Sequence, residues 1–224
     1  PQAQGVYDQL NAASEMSVLP MPAWEATVMS ADTVLGTASA PNVVGILEGT
    51  DPTLRHEYVV FSAHMDHIGI SAGKPDSINN GADDDGSGTV GILELAEAFT
   101  RKHAATRRSL IFLTVSGEEK GLWGSAYFTA YPPVPIDQVV ANLNMDMIGR
   151  NWPDTVETIG MTFSSLGPTL DSVAAAHRDL GMTPVNDLAP QERRLFRSDH
   201  YNFARAGVPI LYFTSGHHPD YHEP

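Results

Sequence analysis

Short apolar runs alternate with amphipathic stretches along this chain. NVVGILE (Asn42–Glu48), EYVVFSA (Glu57–Ala63), SLIFLTV (Ser109–Val115), QVVANLNM (Gln138–Met145), Thr155–Gly160 and VPILYFT (Val208–Thr214) read as strands. Between the first two lies Gly49-Thr50-Asp51-Pro52, strong turn chemistry that predicts an antiparallel hairpin. Ile92, Leu93, Ala96 and Phe99 fall on one face of Ser87–His103, which predicts a helix packed on a sheet. Asp85 or Ser87 can cap its start. Arg101, Lys102, Arg107 and Arg108 near its end favour the helix dipole. Further helices are expected over Gly121–Tyr131, Gly167–Leu180 and Ser198–Ala206.

Strands alternating with helices imply an α/β fold: three layers, α/β/α, around a mixed, mainly parallel central sheet. Upstream, Gln4–Met16 suits a short helix and Glu25–Met29 an edge strand, within an irregular lead-in over residues 1–41. Residues 42–224 then form a single domain.

The order of residues at the strand ends changes the picture. Four apolar runs each stop at imidazole or carboxylate: His64 and Asp66, Glu118 and Glu119, Asp146, and His217, His218 and His222. The acidic turn Asp83-Asp84-Asp85 before Gly86-Ser87-Gly88 adds another carboxylate. Open α/β sheets place their chemistry at the carboxyl ends of strands. A lone carboxylate there is commonly a solvated loop charge or a cap; four such strand ends together point to a metal site.

Imidazole with carboxylate, and no thiolate, suits zinc, with manganese or cobalt as substitutes. More than four good ligands suggests two ions sharing a bridging carboxylate. Adjacent glutamates leaving a strand point in different directions, so one of Glu118 and Glu119 can bind metal while the other serves as general base. Gly86-Ser87-Gly88 is no phosphate loop: three flanking aspartates repel phosphate and no Gly-Lys-Ser/Thr follows. Ser116 lacks the Gly-x-Ser-x-Gly frame of a serine hydrolase.

Composition narrows the function classes. The 224 residues carry a formal charge of -14, which disfavours nucleic acid and anionic membranes as partners. The chain has no cysteine, which excludes disulfides, thiolate metal sites and a cysteine nucleophile. No apolar run reaches the length of a membrane span.

VVFSAHMDHIG, NNGADDDGSG, VSGEEKGLWGSAYF, LNMDMIG and PDYHEP, in this order, resemble the motif series of the M28 family of co-catalytic zinc aminopeptidases. The resemblance runs from about Asn42 to the C-terminus. It implies a di-zinc aminopeptidase acting on peptides with a free N-terminus. It implies one ion held by His64, Asp146 and Asp84, another held by Glu119, His222 and the same Asp84, and Glu118 as general base. Tyr221 resembles the family tyrosine that polarises the scissile carbonyl or steadies the oxyanion. Asp66 is expected to hydrogen-bond His64 and fix its tautomer.

Asp83 and Asp85 are expected as caps or supporting groups, His67, His217 and His218 as pocket-lining or exposed, and His200 and Asp199 in the pocket wall. Leu122, Trp123, Met147, Ile148 and Phe203 are candidates to line a side-chain pocket. Relatives on this fold also act as carboxypeptidases or glutaminyl cyclases, and some are receptor ectodomains without the site. A carboxypeptidase needs a cation to hold the terminal carboxylate, and Arg193, Arg194 or Arg197 could provide one. The ligand series speaks against the receptor reading. The resemblance also implies secretion or a periplasmic location, and a final acidic loop and helix beyond His222 that this sequence lacks.

Overall fold

The computed structural model describes Thr33 and residues 36–73, 75–101 and 105–224. The chain divides into Pro1–Ala38 and a compact unit, Ser39–Pro224. The helix expected at Gln4–Met16 and the strand at Glu25–Met29 lie outside the described residues.

Seven strands form one sheet: β1 Val43–Leu47, β2 Tyr58–His64, β3 Ser109–Val115, β4 Val139–Met145, β5 Thr155–Ile159, β6 Thr183–Val185 and β7 Ile210–Thr214. Their spatial order is β1-β3-β2-β4-β7-β5-β6. The pairs β3–β2, β2–β4 and β4–β7 are all parallel, as is β5–β6, while β1 runs antiparallel to β3 and β5 antiparallel to β7. The sheet is therefore mixed and mainly parallel, as expected. The β1–β2 hairpin is not formed: β3 sits between the two strands. The intervening loop instead ties down the start of β3. Ser109 Oγ donates to Arg55 O (2.6 Å) and accepts from Gly49 N (3.0 Å). Arg107 bonds Asp51 and Arg108 bonds Glu57.

Alternation along β3 builds two cores. Ile111, Leu113 and Val115 join Val60 on one face, where Phe128 of α2 (Trp123–Ala130) and Phe203 of α4 (His200–Arg205) cover them. Leu110 and Phe112 join Val59, Phe61 and Ala63 on the other, beneath Ile92, Leu95, Ala96 and Phe99 of α1 (Gly86–Arg101). Phe61, Phe99 and Phe112 pack as an aromatic cluster with centroids 5.6–6.2 Å apart. Burial on both faces explains why β3 reads as an unbroken apolar run. Helix α3 (Leu166–Ala176) precedes a 3-10 turn at Arg178–Leu180 and Gly181 in the left-handed region. The three-residue β6, with Pro184 at its centre, carries too little pattern to be read from sequence. No described helix is long and apolar enough to cross a membrane.

Because β3, β2, β4 and β7 are parallel neighbours, their carboxyl ends share one edge of the sheet. Helix α1 is locked against this edge by Asp85. Its Oδ1 accepts from Gly88 N (2.9 Å) and Met147 N (3.2 Å), and its Oδ2 accepts from His64 N (3.1 Å). Thr89 Oγ1 donates to His64 O (2.7 Å). Asp85 is thus more than a helix cap: one buried carboxylate joins β2, α1 and the end of β4. Gly88 makes room for it, since a Cβ there meets both Asp85 carboxylate oxygens and Met145 O. Gly88→Ala gains up to about 1 kcal/mol in helix propensity but incurs about 1–3 kcal/mol of overpacking. The expected outcome is net destabilisation, read as a lower urea midpoint with unchanged slope. A midpoint equal to or above the parent's would refute this account of Gly88.

Candidate metal centre

Two strand ends and one turn deliver the first group of donors. His64 ends β2, Asp146 follows β4, and Asp84 lies in the turn before α1, with the Asp84–Asp85 peptide bond cis. His64 Nε2 lies 3.1 Å from Asp84 Oδ1 and 3.6 Å from Asp146 Oδ1. The second group forms around the other oxygen of Asp84. His222 Nε2 is 3.1 Å from Asp84 Oδ2 and 3.4 Å from Glu119 Oε1. His67 Nδ1 is 2.9 Å from Glu119 Oε1 and 3.9 Å from Asp84 Oδ2. The structure thus brings together all five sequence-predicted ligand positions, with Asp84 between the two groups. It adds His67, expected from its sequence position to line the pocket or lie exposed.

These contacts suit shared cations better than hydrogen bonds. His64 Nε2, Glu119 Oε1, His222 Nε2 and His67 Nδ1 are buried without a hydrogen-bond partner. Buried polar atoms are normally satisfied, and leaving one bare costs about 1–3 kcal/mol. Two donors each about 2.05 Å from a tetrahedral zinc ion stand about 3.3 Å apart, close to most of the separations here. A divalent cation therefore fits both groups. Electrostatics agree. Burial opposes a charged His64, yet the neighbouring carboxylates of Asp146 and Asp84 outweigh it and hold the imidazole well above its ordinary pKa. Burial, and then the charge of Asp84, raise Glu119. Burial and the neighbouring Asp146 push Asp85 upward, against His64 and the amides of Met147 and Gly88.

Glu118 stands apart from both donor groups but lines the same cavity as Asp84, Glu119, Asp146 and Tyr221. Burial pushes its carboxyl up to about 9; His64 opposes this, and Asp146, Asp199 and Glu119 add to it. Its loop is held by Asp66, whose two carboxylate oxygens accept from Glu118 N (3.2 Å) and Glu119 N (3.4 Å). This corrects the role expected of the Asp66 carboxylate. The tautomer partner of His64 Nδ1 is the main-chain carbonyl of Asp66 (3.1 Å), with the carboxylate oxygen 3.7 Å away.

The last stretch of chain is fixed by several anchors. Asn151 Nδ2 donates to the carbonyls of Ser215, Gly216 and His217. Arg150 pairs with Asp220 (2.7 Å), His217 contacts Glu192 (3.1 Å), and His218 contacts Asp83 (3.2 Å). Asp83 also accepts from Gly149 N (2.8 Å), so it supports the site without joining the donors. Tyr221 stacks between His217 and His222, with centroids 4.3 and 3.8 Å away. Burial, and then the charge of Asp84, push its hydroxyl up to about 12, against Arg197, so it stays a proton donor at neutral pH.

The expected pocket wall needs revision. Met147 lines the cavity beside Glu118, but Leu122, Ile148 and Phe203 do not border it, and Phe203 is fully buried against Phe128. Trp123 lines a separate groove with Tyr127 and Tyr131. His200 is core, stacked on Tyr212 at 4.5 Å, and burial drops its pKa to about 3. Asp199 is fully buried and accepts from Ser125 Oγ (2.5 Å). Arg194 and Arg197 both reach the cavity, Arg194 already paired with Glu157 and Glu192.

The profile of peptidase family M28 matches residues 42–224. The chain belongs to peptidase family M28. Among the relatives it resembles is aminopeptidase YwaD of Bacillus subtilis, 26% identical over 195 residues that cover 83% of this chain and 39% of that protein. The crystal structure of BSAP, a zinc aminopeptidase from Bacillus subtilis, superposes with a TM-score of 0.62 at 23% identity, covering 82% of this chain and 43% of that one. The glutaminyl cyclase of Tannerella forsythia gives a TM-score of 0.60 at 21% identity over 82% of this chain and 69% of its own. The two superpositions establish the fold alone. The chain spans about 40% of the length of the first curated relatives it matches.

Proposed function

We propose that this M28 chain is the catalytic unit of a di-zinc aminopeptidase. One observation carries the reading: the two oxygens of Asp84 face different imidazole–carboxylate groups, with the Glu118 carboxyl in the same cavity. His64, Asp84 and Asp146 would hold one ion, and Asp84, Glu119 and His222 the other. Zinc bound there supplies Lewis acidity, which lowers the pKa of a water and polarises a carbonyl.

The protein's own groups do the rest. Glu118 takes the proton of the attacking water and returns it to the leaving amine. Its loop is held in place by the two bonds from Asp66. Tyr221 offers a hydroxyl to the oxyanion that develops on the substrate. Carboxylates around the site hold the substrate's free α-amine, the source of exopeptidase specificity. Met147, Arg194, Arg197 and His217 line the same cavity and shape the side-chain pocket.

The test compares hydrolysis of a leucyl dipeptide and its N-acetylated form by the zinc-loaded protein. Cleavage of the free-amine peptide alone is the expected result. Equal cleavage of both sinks amine recognition and points to carboxypeptidase or endopeptidase action.

A further inference from the structure

We infer that His67 is a fourth protein ligand of the second ion, which is thereby held by Asp84, Glu119, His222 and His67. The inference rests on the two-ion reading above and extends it. Two imidazoles from opposite ends of the domain converge on the same pair of carboxylate oxygens. His67 Nδ1 lies 2.9 Å from Glu119 Oε1, and His222 Nε2 lies 3.4 Å from the same atom. Despite that short distance, His67 Nδ1 and Glu119 Oε1 both lack a hydrogen-bond partner. Atoms that close without a hydrogen bond aim at a common point rather than at each other. The two rings meet edge to face, with centroids 5.6 Å apart and planes at 75°, so their nitrogens converge without the rings stacking.

The local backbone positions His67 for this. It sits in the exit loop of β2, three residues after His64, and its Cβ and Cγ lie against Gly81, which has a φ of +65°. A Cβ at Gly81 would collide with the His67 side chain, so this glycine leaves the space the ring occupies. His67 is well buried (11% side-chain exposure), whereas His222 is 34% exposed.

The ligand counts divide the labour. Three protein ligands with an open position mark a reactive zinc site, and four mark a structural one. The ion of His64, Asp84 and Asp146 then has three, and the ion that includes His67 has four. The second ion is the better held of the two, and losing either of its imidazoles leaves three ligands.

The experiment titrates a chelator against the zinc-loaded chain and measures bound zinc per chain after desalting, for the parent, His67→Gln, His67→Ala, His222→Ala and the His67/His222 double variant. Cobalt-substituted samples add a visible spectrum that reports coordination directly. The parent should hold two ions. Loss of an outer-shell partner of a ligand costs about 10–100-fold in affinity, and loss of a ligand at least as much. Each His67 variant should therefore release one ion at about ten-fold lower chelator, with altered cobalt bands. His222→Ala should retain two ions in the absence of chelator, and the double variant should retain one. A parent with two ions and a His67→Gln protein with the parent's chelator curve and cobalt spectrum overturns the role of His67 while leaving the two-ion reading intact. A parent that holds fewer than two ions overturns both.

Discussion

Glu118→Gln is expected to lower kcat for a leucyl peptide by a factor of about 10²–10⁴, while zinc content stays at the parent's value. The reason is geometric. Glu118 belongs to neither donor group, so its carboxyl is free for proton transfer, and its place in the cavity is set by main-chain bonds to Asp66. Glutamine matches its shape and cannot accept a proton. Glu119→Gln provides the contrast, since it should weaken zinc binding as well as turnover. Steady-state kinetics with metal analysis on the same samples separate the two. If Glu118→Gln retains activity within about five-fold, some other group takes the proton.

Glu157→Ala carries the largest expected loss of stability. Glu157 on β5 is almost fully buried, and its Oε2 pairs with Arg194 Nη1 at 2.5 Å while its Oε1 accepts from Leu188 N at 2.6 Å. Arg194 is itself buried, with Glu192 as its second carboxylate. Burial opposes its charge, but these two carboxylates outweigh that and raise its pKa. Removing one partner of a buried pair leaves a charge without compensation and costs about 3–5 kcal/mol. For a chain of this size, that lowers Tm by on the order of 10 °C. Replacing both residues with apolar ones, Glu157→Leu with Arg194→Met, should recover most of the loss. A single variant within about 1 kcal/mol of the parent would mean that Glu192 suffices for Arg194.

Strands β3, β4, β5 and β7 were legible within a residue or two because a half-buried or fully buried strand writes its burial into its composition. The ligand series was legible because parallel neighbours deliver their ends to one edge. The β1–β2 hairpin misled because Gly49-Thr50-Asp51-Pro52 specifies only a local turn. Which strand β1 pairs with depends on Ser109, Arg107 and Arg108 more than fifty residues away. Asp85 looked like a cap, but its bonds to His64 N and Met147 N join segments no local pattern connects. His67 could have been suspected from its spacing to His64, but which way its ring turns depends on the bare backbone of Gly81. Phe203 and His200 lay near the motifs in sequence yet face the core, because α4 turns them inward.

The continuous burial of β3 has a consequence for the chain before it folds. SLIFLTV combines high β-propensity with no charge and no proline, the makings of a segment that self-pairs between nascent molecules. Its sheet neighbours β1 and β2 precede it, but α2 and α4, whose Phe128 and Phe203 cover one of its faces, arrive only later in synthesis. Arg107 and Arg108 stand immediately before it and Glu118 and Glu119 shortly after. Folded, the arginine pairs with Asp51 and Glu57 are exposed and add little. Unfolded, the same charges repel identical strands stacked in register, so they act as gatekeepers against aggregation. The two glutamates that serve the finished site thus close the other flank while the chain is still being made.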